Sequence, residues 1–293
     1  MNCDVLAMGP LSLDVEELRH RGVKREYIGG ALPFAVHAVH SAGREVCGLV
    51  KCAPEDFHIL RNLPAKQMFF SVSKETTKAE AIYYTESQER RDIFINAQID
   101  PIGIADIPDV AAKIYHMAGI YYGDYDEALF TYLSGKGSLA CDIQCYVRYE
   151  ENREIVYRDW AEKRRYIPYI TYLKADAREA QILTGCEDRE EAARIIVSWG
   201  AREVMITHHT EVIVYDGVKM YRCPLRPRAI DGRAGRGDTT FGSYLAMRLE
   251  QDIPSSLLYA AAAVSLKLET TGPLKASRSE VVAYMKERYA EFL

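Results

Sequence analysis

The chain has 293 residues, 48% of them hydrophobic, and a formal net charge of -5. This length suits one large α/β domain or two small ones, and the near balance of charge gives no long-range attraction for nucleic acid or an anionic membrane, so we expect neither as a partner. The first residues lack the basic flank and apolar run of a signal peptide, and no apolar run approaches the ~18 residues of a membrane span. We therefore expect a cytoplasmic protein.

Cysteine and histidine spacings give no metal-binding pattern. The seven cysteines include no C-x-x-C pair, which argues against a zinc site or a disulfide framework. Two histidine pairs, at 37 and 40 and at 208 and 209, lack a third ligand nearby in the sequence. We predict reduced cysteines and no metal ion bound directly by side chains.

Apolar runs of strand length alternate with stretches of helical period through most of the chain. Strands are predicted at residues 5–8, 46–50, 114–117, 139–143, 170–174, 204–207, 212–215 and 218–221. Helices are predicted at residues 31–42, 54–63 and 188–199, and through most of the C-terminal third. Strands separated by helices predict a mostly parallel central sheet with helices on both faces.

Two polar stretches, residues 15–28 and 79–97, break this rhythm and show a patchy alternation of apolar and polar residues. Residues 86–89 are suited to a turn between two strands. We predict hairpins at about 14–30 and 78–98 that stand apart from the main sheet as a small β lid. No repeat or long linker divides the chain, so we predict one domain over residues 1–293.

The most informative segment is DGRAGRGD at residues 231–238, called here the anion loop, which precedes a helical pattern. Glycines before a helix leave backbone N–H groups free for an anion, and the helix dipole adds roughly half a positive charge there. Asp238 would repel a phosphate unless it has a chemical task. It is either a helix cap or the base that takes a proton from a hydroxyl attacking phosphorus.

Other phosphate-binding motifs fit this segment less well. The anion loop is not G-x-x-x-x-G-K-[ST], which excludes a P-loop mechanism. It does not follow the first strand as G-x-G-x-x-G, which disfavours a nicotinamide-dependent oxidoreductase.

Polar residues just after predicted strands are further site candidates, because ligands of open parallel sheets bind beyond the carboxyl ends of the strands. The candidates are Asp14, Lys51, Asp142 with Gln144, Asp176 and Thr207. We assign Lys51, Asp142 and Gln144 to substrate binding. Each candidate has a structural alternative, such as a hairpin start, a solvated strand end, a loop cap or a helix cap.

The motif G-R-G-D-T-T-F at residues 235–241 resembles the G-A-G-D signature of ribokinase-like (PfkB) carbohydrate kinases, and the resemblance covers nearly the whole chain in order. Other positions that resemble family motifs are Asp14 in G-x4-D, the pair Gly29 and Gly30, Asp176 and Glu179 in D-A-R-E, Thr207 and Gly272. The resemblance implies a three-layer ribokinase-like α/β fold with a β lid. It also implies an ATP-dependent kinase that phosphorylates an alcohol group of a small sugar or polyol.

The resemblance further implies a role for each matched position. Asp238 would be the catalytic base, and the amides of Gly235, Arg236 and Gly237 would stabilise charge on the transferred group. Asp14, Gly29 and Gly30 would bind the acceptor, and Thr207 and Gly272 the nucleotide. Asp176 and Glu179 would hold Mg²⁺ through water rather than directly. A homodimer formed through the lid is also implied, and a monovalent cation is left open.

Three departures from the family pattern narrow the function. Arg236 replaces an Ala, Asp176 replaces an Asn, and Phe34 stands where many members carry a sugar-contacting Asn. Together with VYRDW at residues 156–160, the anion loop is similar to an inositol kinase-like branch, which favours a cyclic polyol as acceptor. The alternatives are a nucleoside or other sugar kinase, or an inactive sugar- or nucleotide-sensing protein. The intact G-x-G-D argues against the last of these.

Arg236 supports a separate hypothesis. A guanidinium in the anion loop could contact the transferred phosphoryl group, as arginine fingers do in other phosphoryl-transfer enzymes. The alternative is a surface arginine that points away from the site.

Overall fold

The computed structural model describes residues 1–84 and 91–293, so the predicted turn at residues 86–89 lies outside the described residues. The strands are β1 (Asn2–Pro10), β2 (Ser12–Leu18), β3 (Val23–Gly29), β4 (Val46–Cys52), β5 (Gln67–Val72), β6 (Thr77–Tyr83), β7 (Arg91–Ala97), β8 (Ala111–Met117), β9 (Ser138–Asp142), β10 (Arg148–Glu151), β11 (Glu154–Tyr157), β12 (Tyr172–Asp176), β13 (Glu203–Thr207), β14 (Glu211–Tyr215) and β15 (Met220–Pro224). The α-helices are α1 (Ala31–Ser41), α2 (Ala128–Ser134), α3 (Gln144–Val147), α4 (Lys163–Tyr166), α5 (Ala177–Thr184), α6 (Arg189–Ser198), α7 (Arg236–Arg248), α8 (Ile253–Leu268) and α9 (Arg278–Arg288).

The main sheet has nine strands in the order β15-β14-β13-β12-β9-β8-β1-β4-β5. The pairs from β13 to β5 are parallel, and β14 and β15 add antiparallel strands at one edge. β4 is buried along its whole length, as expected of a strand covered on both faces. The predicted mostly parallel α/β sheet is confirmed, and its carboxyl ends meet along one edge.

Each face of the main sheet has its own hydrophobic core. Along β1, Val5 and Ala7 belong to one core and Leu6 and Met8 to the other, because successive side chains point to opposite faces. The first core includes residues of α1, α7, α8 and α9, and the second includes residues of α2, α3, α5 and α6. The helices therefore cover both faces of the sheet, which completes three layers.

A second sheet of six strands, called here the lid, has the order β10-β11-β7-β6-β2-β3. Its two hairpins, β2–β3 and β6–β7, join through a parallel pairing of β2 with β6. These strands overlap the stretches predicted as lid hairpins, although β2 begins two residues and β6 one residue earlier. A third hairpin, β10–β11, pairs with β7 and was not predicted from the sequence.

Local differences from the prediction have identifiable causes. The predicted helix at residues 54–63 contains only a 3₁₀ turn at Pro54–Asp56, and strand β5 was not predicted. β15 begins at Met220 rather than at residue 218, because Asp216 Oδ1 accepts hydrogen bonds from the amides of Val218 and Lys219 at 2.8 and 2.7 Å. This turn keeps Val218 91% exposed and outside the ladder.

The helices of residues 1–84 and 91–293 include none that has both the length and the apolar character needed to cross a bilayer. The seven cysteines are free thiols. Within the same ranges, no group of three His, Cys, Asp or Glu side chains is arranged to hold a metal ion.

Candidate active site

A cleft of about 1470 Å³ lies between the lid and the carboxyl ends of the main strands. The anion loop forms one wall together with residues 271–273. The ends of β12 and β13 contribute Lys174, Asp176 and Thr207 to the cleft, and each of the six lid strands contributes at least one residue. The carboxyl ends of parallel strands are where an open α/β sheet binds its ligands.

The anion loop leads directly into α7, with Gly235 as the N-cap. Gly235 has φ of 72°, and a methyl group there would lie 2.0 Å from Cδ1 of Phe34, so both its backbone conformation and its packing require glycine. Within the described chain, the amides of Gly235 and Gly237 have no backbone partner, whereas the amide of Arg236 donates to the carbonyl of Arg233 at 3.3 Å. Two of the three predicted amides are therefore free for an anion, and the third is engaged in a turn.

Asp238 lies in the first turn of α7 and lines the cleft. It is not the helix cap, since Gly235 occupies that position, and no ion pair with a described residue engages its carboxylate. Burial raises the pKa of Asp238, against the lowering effect of the positive charges on Lys174 and Arg148. An unpaired carboxylate with a raised pKa beside an anion-binding loop can accept a proton from a hydroxyl.

Four charged residues at the bottom of the cleft are called here the charged floor: the half-buried Arg148 and the buried Asp142, Lys174 and Glu179. Lys174 Nζ lies 2.8 Å from Asp142 Oδ2 and 3.6 Å from Glu179 Oε2. Burial alone would lower the pKa of Lys174, but the Asp142 and Glu179 carboxylates raise it overall, so the ammonium stays charged. A methyl group on Gly237 would lie 3.0 Å from Lys174 Nζ, so this positive charge sits directly under the anion loop.

Asp176 and Glu179 form a capping box at the start of α5. The Glu179 amide donates to Asp176 Oδ1 at 2.8 Å, and the Asp176 amide donates to Glu179 Oε2 at 2.7 Å. Glu179 is fully buried, and its other oxygen accepts a hydrogen bond from Arg148 at 2.8 Å. The structure therefore places Asp176 on the cleft but does not bring Glu179 to its surface, because the buried cations hold that side chain.

The structure also determines where a magnesium ion could be held. Asp176 offers one cleft-facing carboxylate, already engaged in part by the Glu179 amide. Mg²⁺ keeps several waters and binds through one or two carboxylates together with substrate phosphates. This single carboxylate fits a magnesium ion that is held through water and phosphate oxygens.

The predicted acceptor residues Asp14, Gly29 and Gly30 lie together where the lid joins the main sheet. A methyl group on Gly29 would lie 1.9 Å from Asp14 Oδ2, and Gly30, with φ of 92°, is the N-cap of α1. Burial raises the pKa of Asp14 to about 6, although hydrogen bonds from Ser12 and the Ala79 amide oppose the rise. These three residues adjoin the wall of the cleft, and their neighbours Tyr27 and Ile28 line it.

Lys51 does not belong to the site, which corrects the prediction of a substrate contact. Its ammonium is buried and donates to Asp106 Oδ2 and to the carbonyl of Pro101, each at 2.8 Å. Asp106 and the loop that contains it draw the lysine away from the cleft. Lys51 therefore ties this loop to the end of β4.

Most of the remaining predicted site residues line the cleft, and one is buried in the protein next to it. Gln144, Thr207 and Gly272 line the cleft, while Asp142 is buried and contacts the cleft residues Lys174 and Gln144. Arg236 also lines the cleft, and burial lowers the pKa of its guanidinium while Asp176 opposes the change. Its side chain therefore does not point away into open solvent.

Sequence reasoning missed Arg148, Lys174 and Lys267. Lys174 and Lys267 each interrupt an otherwise apolar run, at the end of β12 and near the end of α8, which was an available signal. Arg148 gave none, because its role depends on Glu179, 31 residues away.

Comparison with known proteins fits this geometry. The chain matches no protein-family model. A pyrophosphate-dependent kinase in the ribokinase family, solved with a pyrophosphate analog and myo-inositol, is 32% identical over 95% of this chain and 99% of its own, with a TM-score of 0.84. Ribokinase from Arabidopsis thaliana, complexed with ribose and ATP, has a TM-score of 0.74 over 98% of this chain and 99% of its own, at 16% identity.

A cytidine kinase from Thermococcus kodakarensis is 37% identical over 86 residues, which span 28% of this chain and 31% of that protein. The fold agrees with that of the structural relatives along nearly the whole chain. The protein thus belongs to the ribokinase family and is a kinase of sugars, polyols or nucleosides.

Proposed function

We propose that the protein transfers a phosphoryl group from pyrophosphate to a hydroxyl of a cyclic polyol, with myo-inositol as the first candidate. The observation that carries this proposal is the position of Asp238. Its unpaired carboxylate lines the cleft within one turn of the free amides of Gly235 and Gly237. A proton acceptor and an anion cradle are the two parts that transfer to an alcohol needs.

The proton acceptor and the anion cradle have different tasks in the proposed reaction. The acceptor hydroxyl gives its proton to Asp238 as its oxygen forms a bond to the terminal phosphorus of the donor, and the bond from that phosphorus to the bridging oxygen breaks. The departing phosphate carries away the electron pair of the broken bond. Gly235 and Gly237 donate hydrogen bonds to the transferred group, each worth about 3 kcal/mol in comparable sites. The Lys174 ammonium, which lies beneath the anion loop, adds positive charge next to the transferred group.

The donor half of the cleft supports pyrophosphate over the ATP that the sequence led us to expect. Arg233, Arg236 and Thr271 line it, and its apolar contacts come from Ala234 and Pro273 and from Phe34, whose ring is already packed against Gly235. A purine base requires an apolar or aromatic slot, whereas a small polyanion requires clustered cations and amides. The relative that is 32% identical is pyrophosphate-dependent, whereas the ribokinase complexed with ATP is 16% identical.

Magnesium is part of this proposal. When bound, Mg²⁺ would neutralise charge on the donor phosphates, and Asp176 would hold it through water. A monovalent cation stays a prediction from the family resemblance. A cytoplasmic location and a homodimer formed through the lid also stay predictions, and light scattering during size-exclusion chromatography tests the second.

A nucleoside is the second candidate acceptor. The face of the lid that meets the cleft carries Leu18, Tyr83, Ile93 and Ile155, an apolar surface suited to a nucleobase. The match to a cytidine kinase supports the same acceptor.

A matrix of donors and acceptors tests both candidates. Pyrophosphate, ATP and ADP would each be offered with myo-inositol, ribose, glucose and cytidine, with product formation followed by ³¹P NMR. We expect the largest kcat/KM for pyrophosphate with myo-inositol. A larger value with ATP would overturn the proposed donor, and a larger value with cytidine would establish the second acceptor. No transfer in any combination would refute the kinase assignment.

A further inference from the structure

Lys267 is a buried lysine near the end of α8 that the proposed reaction does not use. It is 1% exposed, in a helix that is otherwise almost entirely apolar at its buried positions. In the part of the chain that the structure describes, no carboxylate lies within 4.0 Å of its ammonium. A buried charge without a counter-ion is costly, so its hydrogen bonds must satisfy the ammonium in another way.

The ammonium of Lys267 binds the anion loop through two carbonyl groups. It donates to the carbonyl oxygen of Gly232 at 2.8 Å and to that of Ala234. A planar trans peptide directs its C=O and the following N–H in opposite directions. Holding the Ala234 carbonyl toward α8 therefore turns the Gly235 amide away from α8, and that amide is one of the two free donors of the site.

The ring of Phe34 packs against both the Lys267 ammonium and the anion loop. Its ring centroid lies 5.5 Å from Lys267 Nζ, and the same ring packs against the α-carbon of Gly235. An aromatic ring attracts a cation to its face, and its bulk limits access of water to the ammonium. The loop, the lysine and the ring thus form one packed unit, which gives the Phe at position 34 a role different from a sugar contact.

We propose that Lys267 is a positioning residue that holds the anion loop with its amides already directed at the phosphoryl donor, with Phe34 as the residue that keeps the ammonium in place. This inference rests on the proposed function, in which the anion loop binds the transferred phosphoryl group. It assigns Lys267 no contact with substrate. Its effect should therefore fall on donor binding rather than on the acceptor.

The inference carries a pH dependence. Burial lowers the pKa of Lys267 to about 8, with Asp238 raising it and Arg236 lowering it further. The ammonium is intact below pH 8 and loses its proton as pH rises through that value, and a neutral amine holds two carbonyls less strongly. Donor affinity should decline above about pH 8.

Kinetics of Lys267→Met, Lys267→Arg and the control Lys219→Met test the inference. Lys219 is an exposed lysine in the β14–β15 turn, so its substitution should leave both KM values unchanged. We expect Lys267→Met to raise the donor KM by about 30-fold and to change the acceptor KM by less than about threefold. We expect Lys267→Arg to recover part of the donor affinity.

The decline of kcat/KM for the donor above pH 8 should be lost in Lys267→Met. Equal changes in both KM values, or an unaltered alkaline decline, would overturn the inference.

Hydrogen exchange separates this inference from the proposed function. In the substrate-free protein, amides of residues 231–238 should exchange at least about tenfold faster in Lys267→Met than in Lys219→Met, while those of β12 should not change. Unchanged exchange in the loop would refute the positioning role whatever reaction the enzyme catalyses. Faster exchange in an enzyme that uses none of the donors would support positioning and refute the proposed function. If Lys267→Met does not fold, Phe34→Leu replaces it in the exchange experiment, with the same faster exchange of the loop expected at smaller size.

Discussion

The charged floor and the lid meet at Arg148, the first residue of β10, but apart from that residue they are built in opposite ways. The side chains of the floor, which come from β9, β12, α5 and the start of β10, are fixed in place by ion pairs. The lid has a small cluster of buried residues, Leu18, Ala81 and Tyr83, and one edge strand, β3, that is mostly exposed. In the proposed reaction, the groups that carry out phosphoryl transfer lie on the side fixed by ion pairs. The acceptor is recognised on the lid side, where we expect a substitution to cost little stability.

The largest expected effect comes from the side fixed by ion pairs. Asp238→Asn keeps the shape of the side chain but removes the proton acceptor, so kcat should fall by about 10³-fold. Binding of the donor, measured by isothermal titration calorimetry, should change by less than about threefold because the amides of the anion loop remain. A variant that retains a tenth or more of the normal turnover would contradict the assignment of Asp238 as base.

Breaking the floor should damage stability and activity together. Lys174→Met leaves Asp142 buried without its partner and should destabilise the fold by about 3–5 kcal/mol, with a loss of about 10²-fold in kcat. The double variant Lys174→Met/Asp142→Asn removes the stranded charge, so denaturant unfolding should show recovered stability while activity stays low. Recovery of activity in the double variant would show that Lys174 matters only for folding.

Asp14 lies at the junction of the two regions and should separate stability from function. Its carboxyl has a pKa of about 6 against an ordinary 3.8, so it favours the folded state when protonated and loses that contribution as pH rises through 6. Asp14→Asn, which mimics the protonated form, should raise the melting temperature by about 3 °C at pH 8 and leave it nearly unchanged at pH 4. The acceptor KM should rise by about tenfold. A lower melting temperature at pH 8 would show that the Asp14 carboxylate stabilises the fold instead.

The smallest effect should come from the lid. Ile93 packs against the small cluster and lines the cleft, so Ile93→Ala should raise the acceptor KM by about threefold and cost about 1 kcal/mol of stability. The donor KM should not change. An equal rise in both KM values would show that the lid closes over donor and acceptor alike. The assignment of the lid to acceptor recognition alone would then be wrong.

The sequence predicted the main sheet well, because its strands are long apolar runs and its best helix, α6, has a cap that the structure contains: Asp188 accepts from the Glu191 amide at 2.8 Å. The third lid hairpin was missed for a physical reason. Its turn uses Asn152 and Arg153 at positive φ, where an Asn-Gly pair would have given the usual signal.

Site residues within a recognisable sequence motif could be predicted from the sequence. Those whose position depends on tertiary contacts could not. Lys51 and Lys174 give the same sequence signal, a lysine at the end of a buried strand. Lys174 faces Asp142 on the adjacent strand β9 and remains under the cleft, while Asp106 draws Lys51 away. No local pattern distinguishes the two, because each partner is more than 30 residues distant in sequence.

The three hairpins of the lid come from widely separated parts of the chain, at residues 12–29, 77–97 and 148–157. Each is connected to the main sheet, and their mutual pairing is possible only once the polypeptide has been made as far as residue 157. During synthesis the lid is therefore completed late, and β7 presents an unpaired edge until β11 arrives. A newly made chain should be most prone to aggregation, or to capture by a chaperone, in that interval.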